Sequence, residues 1–173
     1  MEEIFAKPCV GPIIEKEIDH EKYILIQTRQ KADGGKTNGM LEIPAGKLRE
    51  YEQIFSALRR EVQEETGLHV TKIYGEDFAV TTKVGDVTTI SFVPYCITQN
   101  LSGAYSIILN TFLCEAEGEL LTKTDESENI QWIKNSDLKD LVENESEKIF
   151  FMHINALVLC QDLVQIKMGD FSY

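Results

Sequence analysis

Three glutamates, Glu61, Glu64 and Glu65, follow one another at i, i+3 and i+4 within residues 46–68, GKLREYEQIFSALRREVQEETGL. On a helix that spacing puts all three carboxylates on one face. The placement is locally unfavourable. Like charges at i,i+4 cost roughly 0.2–0.5 kcal/mol per pair, and acids in a last turn meet the negative end of the helix dipole at about 0.3–1 kcal/mol each. A divalent cation removes the repulsion, and one helical turn with three glutamates supplies the hard oxygen ligands such a cation takes. Three glutamates by themselves fit a solvated acidic helix end equally well, because screening makes the cost small there.

The surrounding string narrows the choice. Gly-x5-Glu-x7-Arg-Glu-apolar-x-Glu-Glu-x-Gly-apolar defines nine positions over 23 residues: Gly46, Glu52, Arg60, Glu61, Val62, Glu64, Glu65, Gly67 and Leu68. It resembles the signature of the Nudix hydrolases at every defined position. The preceding segment carries the resemblance further. An apolar strand ending in Gln27-Thr28-Arg29, a loop, and then Leu41-Glu42-Ile43-Pro44-Ala45-Gly46-Lys47 is similar to the ADP-ribose and nucleoside diphosphate sugar pyrophosphatase branch. The chain also departs from the family pattern in two places. Tyr51 stands where a glycine often precedes the first box glutamate, and the first proline after the box, Pro94, lies 26 residues beyond Leu68.

The elements that must position these residues follow from periodicity. Tyr51, Ile54, Phe55, Leu58 and Val62 form one apolar stripe at helical spacing, and Gly67 falls where a left-handed C-cap ends the helix. Glu61 and Glu65 lie on the flank of that stripe, which places them at the rim of the core, with Glu64 further round. Upstream, residues 3–14 are broken by Pro8 and Pro12 and suit an edge strand or an arm on a partner. A turn at Asp19-His20-Glu21 leads to a strand over 23–26, and residues 31–38, KADGGKTN, read as a loop. Downstream, strands are expected over 69–78 and 79–82, with a turn near Gly75-Glu76-Asp77 and a hairpin turn at Gly85-Asp86. Further strands are expected over 87–97, 105–116 and 130–133, with 118–129 an acidic loop before the last. Asn135-Ser136-Asp137 can cap a short helix over 138–142. A final helix should run over 146–165 through Ile149, Phe150, Ile154, Leu157, Leu163 and Val164.

At 173 residues, with 43% hydrophobic and 27% charged residues, the chain suits one soluble globular domain over 1–173. The net charge of −12 opposes a broad nucleic-acid or anionic-membrane surface, although metal ions and a few basic side chains can still neutralise a bound polyphosphate. Cys9, Cys96, Cys114 and Cys160 show no CxxC pairing and read as small buried hydrophobes in a reducing compartment. No signal-like start or 18-residue apolar run is present, so a cytoplasmic location is expected.

The resemblance implies an α/β (α+β) fold, an α/β/α sandwich with a mixed sheet between helices. It implies Mg²⁺ as cofactor, with Mn²⁺ as a substitute, held by Glu61, Glu64, Glu65 and the main-chain carbonyl of Ala45. Arg60 and Glu52 would pair to brace the loop before the helix. Arg29 would contact the substrate diphosphate, with Glu42 near the nucleotide, whereas alternation alone leaves Arg29 solvated and Glu42 on a wet strand face. For the general base, the acidic loop offers Asp125, Glu126 and Glu128; Glu126 is chosen by its position before the next strand. The implied reaction converts ADP-ribose or a related nucleoside diphosphate sugar to a nucleoside monophosphate and a sugar phosphate. The alternatives are pyrophosphate release from a nucleoside triphosphate, as in clean-up of oxidised nucleotides, and a nucleotide-sensing domain without turnover. The partner is a small nucleotide, not nucleic acid or membrane, and a homodimer with N-terminal strands reaching across is expected by analogy.

Overall fold

The structure, a computed structural model, describes residues 3–32 and 34–162. Its chain order begins with β1 (Lys7–Ile18), β2 (Glu21–Arg29), β3 (Leu41–Glu42) and β4 (Gly46–Lys47), then α1 (Ile54–Thr66) and β5 (His69–Ile73). A hairpin, β6 (Val80–Val84) and β7 (Val87–Ser91), precedes β8 (Cys96–Gln99), β9 (Ile107–Glu117) and β10 (Ser127–Lys134). The helices α2 (Asn135–Asn144) and α3 (Phe151–Asp162) follow. Among the described residues the strands form one eight-stranded sheet along the path β10-β2-β1-β9-β5, and β6 with β7 forms a separate ribbon. The β1–β9 pair is parallel and the other pairs are antiparallel, so the sheet is mixed.

Strand alternation divides the core into two layers. Val10, Ile14, Leu25, Phe112 and Cys114 point to the face covered by α1, through Phe55, Leu58 and Val62. Their neighbours Ile13, Ile24 and Ile26 point to the other face, where Leu138 and Val142 of α2 and Ala156, Leu157 and Cys160 of α3 cover them. That is the expected sandwich. Within it Phe55 lies edge-on to Phe112 at 5.4 Å and to Phe92 at 6.1 Å.

Several expectations are corrected. The segment expected as an edge strand or arm is, from Lys7 onward, an interior strand, paired in parallel with β9 from Lys7 to Ile14 of the same chain. The prolines are accommodated by parity. The Lys7 N–H donates to Ser106, so odd residues face β9, while the Pro8 carbonyl accepts from Leu48 on the opposite side. The nitrogens of Pro8 and Pro12 therefore face the side where β4 pairs only with Cys9 and Val10 and β2 pairs only from Glu15. No ladder bond is lost, and Lys7–Ile14 is paired with β9 of its own chain. Tyr51 does not join the apolar stripe: it is 99% exposed, with φ of 58°. The strand expected over 87–97 is divided by residues 92–95 into β7 and β8, and β10 begins at Ser127, inside the expected loop. The α2 helix starts at Asn135 without a side-chain cap.

The last helix begins at Phe151, not at 146. Ser146–Lys148 form a 3-10 turn, and tertiary pairing takes the next two residues: Ile149 bridges Leu41, and the Phe150 N–H donates to the Leu41 carbonyl. The expected positions Leu163 and Val164 lie outside the described residues. No described helix is long and apolar enough to cross a membrane.

Candidate metal and diphosphate site

The site starts from the two ends of α1. Gln53 accepts the Ser56 N–H at the N-terminus, and Gly67 at φ 80° closes the C-terminus, its N–H donating to the Gln63 carbonyl. The left-handed turn at Gly67 passes under residues 118–126. Leu121 donates its N–H to the Thr66 carbonyl, one of the acceptors a helix end leaves open. Thr124 Oγ1 accepts from the N–H groups of Glu126 and Ser127, shaping the turn that carries Glu126. A cleft of about 240 Å³ results, lined by Glu61, Glu64, Glu65, Thr124, Asp125 and Glu126. The acidic loop and the helix glutamates, distant in sequence, share one cavity.

Within the trio the environments differ as the helical wheel requires. Glu61 and Glu65 are 9% and 5% exposed, while the Glu64 side chain is 53% exposed. Glu61 lies against the backbone of β4 so closely that a Cβ on Gly46 would fall 1.9 Å from its carboxyl carbon. The box glycine is there for this approach, not for a special φ. Glu65 is oriented by the Ala45 N–H at 3.1 Å and by Gln27 Nε2 at 2.8 Å, both donating to Oε2. Burial raises both carboxyls: Glu61 upward against the pull of Arg60, and Glu65 to about 7 against the pull of Lys31.

Arg60 is the hub of the other half. Its Nε and Nη2 donate to the two oxygens of Glu52 at 2.7 and 2.8 Å, and Nη1 donates to Glu61 at 2.6 Å and Glu64 at 3.1 Å. The Arg60 hydrogen bonds draw the Glu52 carboxyl down to about 2. Glu52 Oε2 also accepts the Arg49 N–H, and Arg60 Nη2 reaches the Lys47 carbonyl, so the pair ties the 46–52 segment to the helix. The left-handed φ at Tyr51 belongs to this turn, where the Glu52 N–H donates to Arg49. A glycine would adopt it freely, so tyrosine preserves the path at a conformational cost.

Arg29 and Glu42 are neither solvated nor on a wet face. They are 5% and 3% exposed and form a buried pair, Nη1 to Oε2 at 3.1 Å. Burial follows from β3 pairing with β2, which sets Glu42 opposite Gln27. Gln27 Nε2 bridges Glu42 at 3.3 Å and Glu65, linking the pair to the site. Thr37 accepts from Arg29 Nε, and the guanidinium lies 4.4 Å from the Phe150 ring centre.

Sequence reasoning left two residues without a role. Gln27 is fully buried, and its signal was parity: two residues after Leu25, it shares the α1 face of β2. Lys31 sits in a loop with no local signature, yet its ammonium lies 2.5 Å from Glu126 and 3.5 Å from Glu65. Burial opposes the charge on Lys31, but Glu65, Glu126 and Glu42 outweigh it and raise its pKa.

The donor set suits a hard divalent cation: carboxylate oxygens at the cleft, and no sulfur or imidazole lining it. As they stand, the carboxylates are turned toward Arg60 and Lys31, and among the described residues no three acids converge on one ion position. Ligation therefore requires at least side-chain rotation.

Fold and cleft together define an α/β/α sandwich with a carboxylate-lined site on one helix end. A model of the NUDIX domain matches residues 10–152, and the chain belongs to that family. Its fold is similar to the NUDIX domain of Shewanella oneidensis NrtR, complexed with ADP ribose (12% identity, 92% of this chain and 89% of that one, TM-score 0.64). It is also similar to a NUDIX hydrolase from Nitrosomonas europaea (16%, 94% and 74%, TM-score 0.58) and to a MutT NUDIX hydrolase from Burkholderia pseudomallei (20%, 76% and 84%, TM-score 0.52). No curated protein matches the sequence. Nudix hydrolases generally use divalent metals, and membership supports a hydrolase acting on phosphorus anhydrides.

Proposed function

We propose that this protein is a Mg²⁺-dependent hydrolase that cleaves the pyrophosphate bond of ADP-ribose or a related nucleoside diphosphate sugar, releasing a nucleoside monophosphate and a sugar phosphate. One observation carries the reading. Glu61 and Glu65 are buried carboxylates at the edge of a cleft, kept there by Gly46 and Ala45 and braced through Arg60 and Glu52. Burying acids costs stability even when Arg60 and Lys31 offset part of their charge, so their place at a cleft favours a ligand role.

Glu61, Glu64, Glu65 and the Ala45 carbonyl would hold Mg²⁺, with Mn²⁺ as a substitute. A cation held there would supply charge neutralisation for the phosphate oxygens and acidify a water for attack. Arg60 and Glu52 keep the glutamates in register, which matters because a misplacement of about 1 Å can cost about a hundredfold in rate. Glu126, on the opposite wall, is the group we assign to take the proton from the attacking water; it lines the cleft and remains 56% exposed. Arg29 and Glu42, linked to Glu65 through Gln27, are assigned to the diphosphate and nucleotide side. The ADP ribose bound by the similarly folded NrtR domain is consistent with that substrate class.

A panel of ADP-ribose, other nucleoside diphosphate sugars and nucleoside triphosphates, incubated with Mg²⁺ and resolved by product, tests the assignment. AMP with ribose 5-phosphate is the expected outcome; pyrophosphate release would move the substrate to the triphosphates, and no turnover would leave a sensor. Glu64→Gln and Glu65→Gln should abolish turnover with the fold intact.

A further inference from the structure

Among the described residues five carboxylates line the cleft: Glu61, Glu64, Glu65, Asp125 and Glu126. Two kinds of cation compensate them, and they are held very differently. Arg60 is locked as a fork, bidentate on Glu52 and anchored to the Lys47 carbonyl, so it cannot leave the Glu61 side. Lys31 is a single ammonium on a flexible four-carbon stem, 19% exposed, and the two acids it touches come from different elements. Glu65 belongs to α1, while Glu126 belongs to the loop above it. The loop is otherwise tied to β2 near Lys31 by the Gln30 N–H donating to the Glu126 carbonyl.

We propose that Lys31 is a positioning residue that acts as the internal counter-ion of the metal-free site. Its ammonium ties Glu65 to Glu126, and it must withdraw before a divalent cation is held, so that metal entry and release of Glu126 are a single event. This rests on the metal-site reading above. A divalent cation held by Glu65 would repel the ammonium 3.5 Å away on the same carboxylate, and a single ammonium on a flexible stem yields where the Arg60 fork does not. Entry of the cation therefore expels Lys31, and the Glu126 carboxylate loses its partner and becomes free to face water.

The test uses the full chain and Mg²⁺ alone, with no substrate. Lys31→Gln removes the competitor, so Mg²⁺ affinity by calorimetry at pH 8 should rise on the order of tenfold. Structural damage can only lower that affinity, so a gain separates the two explanations. Hydrogen exchange over residues 118–126 should be slow in the metal-free wild type and faster with Mg²⁺. In Lys31→Gln it should be fast in both states, and Lys31→Arg should restore the wild-type pattern. Glu126→Gln, at an exposed position that folding tolerates, should also give fast exchange without metal. Unchanged or weaker Mg²⁺ binding by Lys31→Gln, or loop exchange indifferent to Mg²⁺ or to Glu126→Gln, overturns the proposal while leaving the metal site standing. Failure of the wild type to bind Mg²⁺ overturns both.

Discussion

Replacing Gly46 with alanine adds one methyl group whose position is known before the experiment. That Cβ would lie 1.9 Å from the Glu61 carboxyl carbon and 2.1 Å from each of its oxygens. Ordinary contact begins at 3.4 Å, so the carboxylate must retreat by about 1.5 Å (3.4 less 1.9), giving up its 2.6 Å hydrogen bond from Arg60. The backbone has no reason to resist, since Gly46 is not in the left-handed region and the nearest obstruction is all Glu61 side chain. At about a hundredfold per 1 Å of misplacement, kcat/KM should fall by at least ~100-fold, or about 2.7 kcal/mol of transition-state stabilisation. Folding stability should fall by about 1–3 kcal/mol as the buried Glu61 carboxylate loses its charge-assisted hydrogen bond, offset in part by the about 0.4–1 kcal/mol that alanine gains over glycine through the unfolded ensemble. The assay pairs steady-state hydrolysis of ADP-ribose with Mn²⁺ binding followed by electron paramagnetic resonance and a thermal melt. A variant with wild-type melting, kcat/KM within threefold of wild type and unaltered Mn²⁺ binding would refute both the geometry and the ligand role of Glu61.

Phe55→Ala, which empties the junction with Phe112 and Phe92, should cost about 3–5 kcal/mol in denaturant unfolding without new ligand behaviour. Tyr51→Gly should stabilise the protein by up to about 1 kcal/mol, because it removes a left-handed φ from a side chain that touches nothing; chemical denaturation checks the sign. Glu65 gives a pH prediction. Its folded carboxyl stands at about 7 against 4.5 in a free chain, so the folded state binds the extra proton. Stability of the metal-free protein should therefore fall as pH rises through that window, and Mg²⁺ should restore it. Since the ligand must be deprotonated, Mg²⁺ binding at pH 7 should release a fraction of a proton and tighten between pH 6 and 8, measurable by calorimetry in buffers of different ionisation enthalpy.

The box helix was legible because its information is local. Ile54, Phe55, Leu58 and Val62 repeat at the helical period, Gly67 supplies the left-handed cap, and i, i+3, i+4 spacing fixes which glutamates share a face. The same local geometry put Glu61 and Glu65 at the rim of the core and Glu64 outside it. The pairing of Glu52 with Arg60 came from family resemblance and is present as a bidentate contact. Tyr51 failed locally, because its left-handed φ keeps it out of the stripe that begins at Ile54; most of the other failures depended on a partner far along the chain. Pro8 and Pro12 argued for an edge, but only the register against β9 shows that their nitrogens point where no bond is required. Alternation left Glu42 wet until β3 was laid beside β2. Ile149 and Phe150 fit a helical repeat, and a bridge to Leu41 draws them out of it. No pattern within residues 31–38 marks Lys31, because its role exists only when loop, helix and strand end meet. Sequence alone determined the helix, its acids and the family; the closeness of Gly46 to Glu61 and of Lys31 to Glu65 was decided by tertiary packing, since proximity between distant residues is set by the sheet's register and not by any local preference.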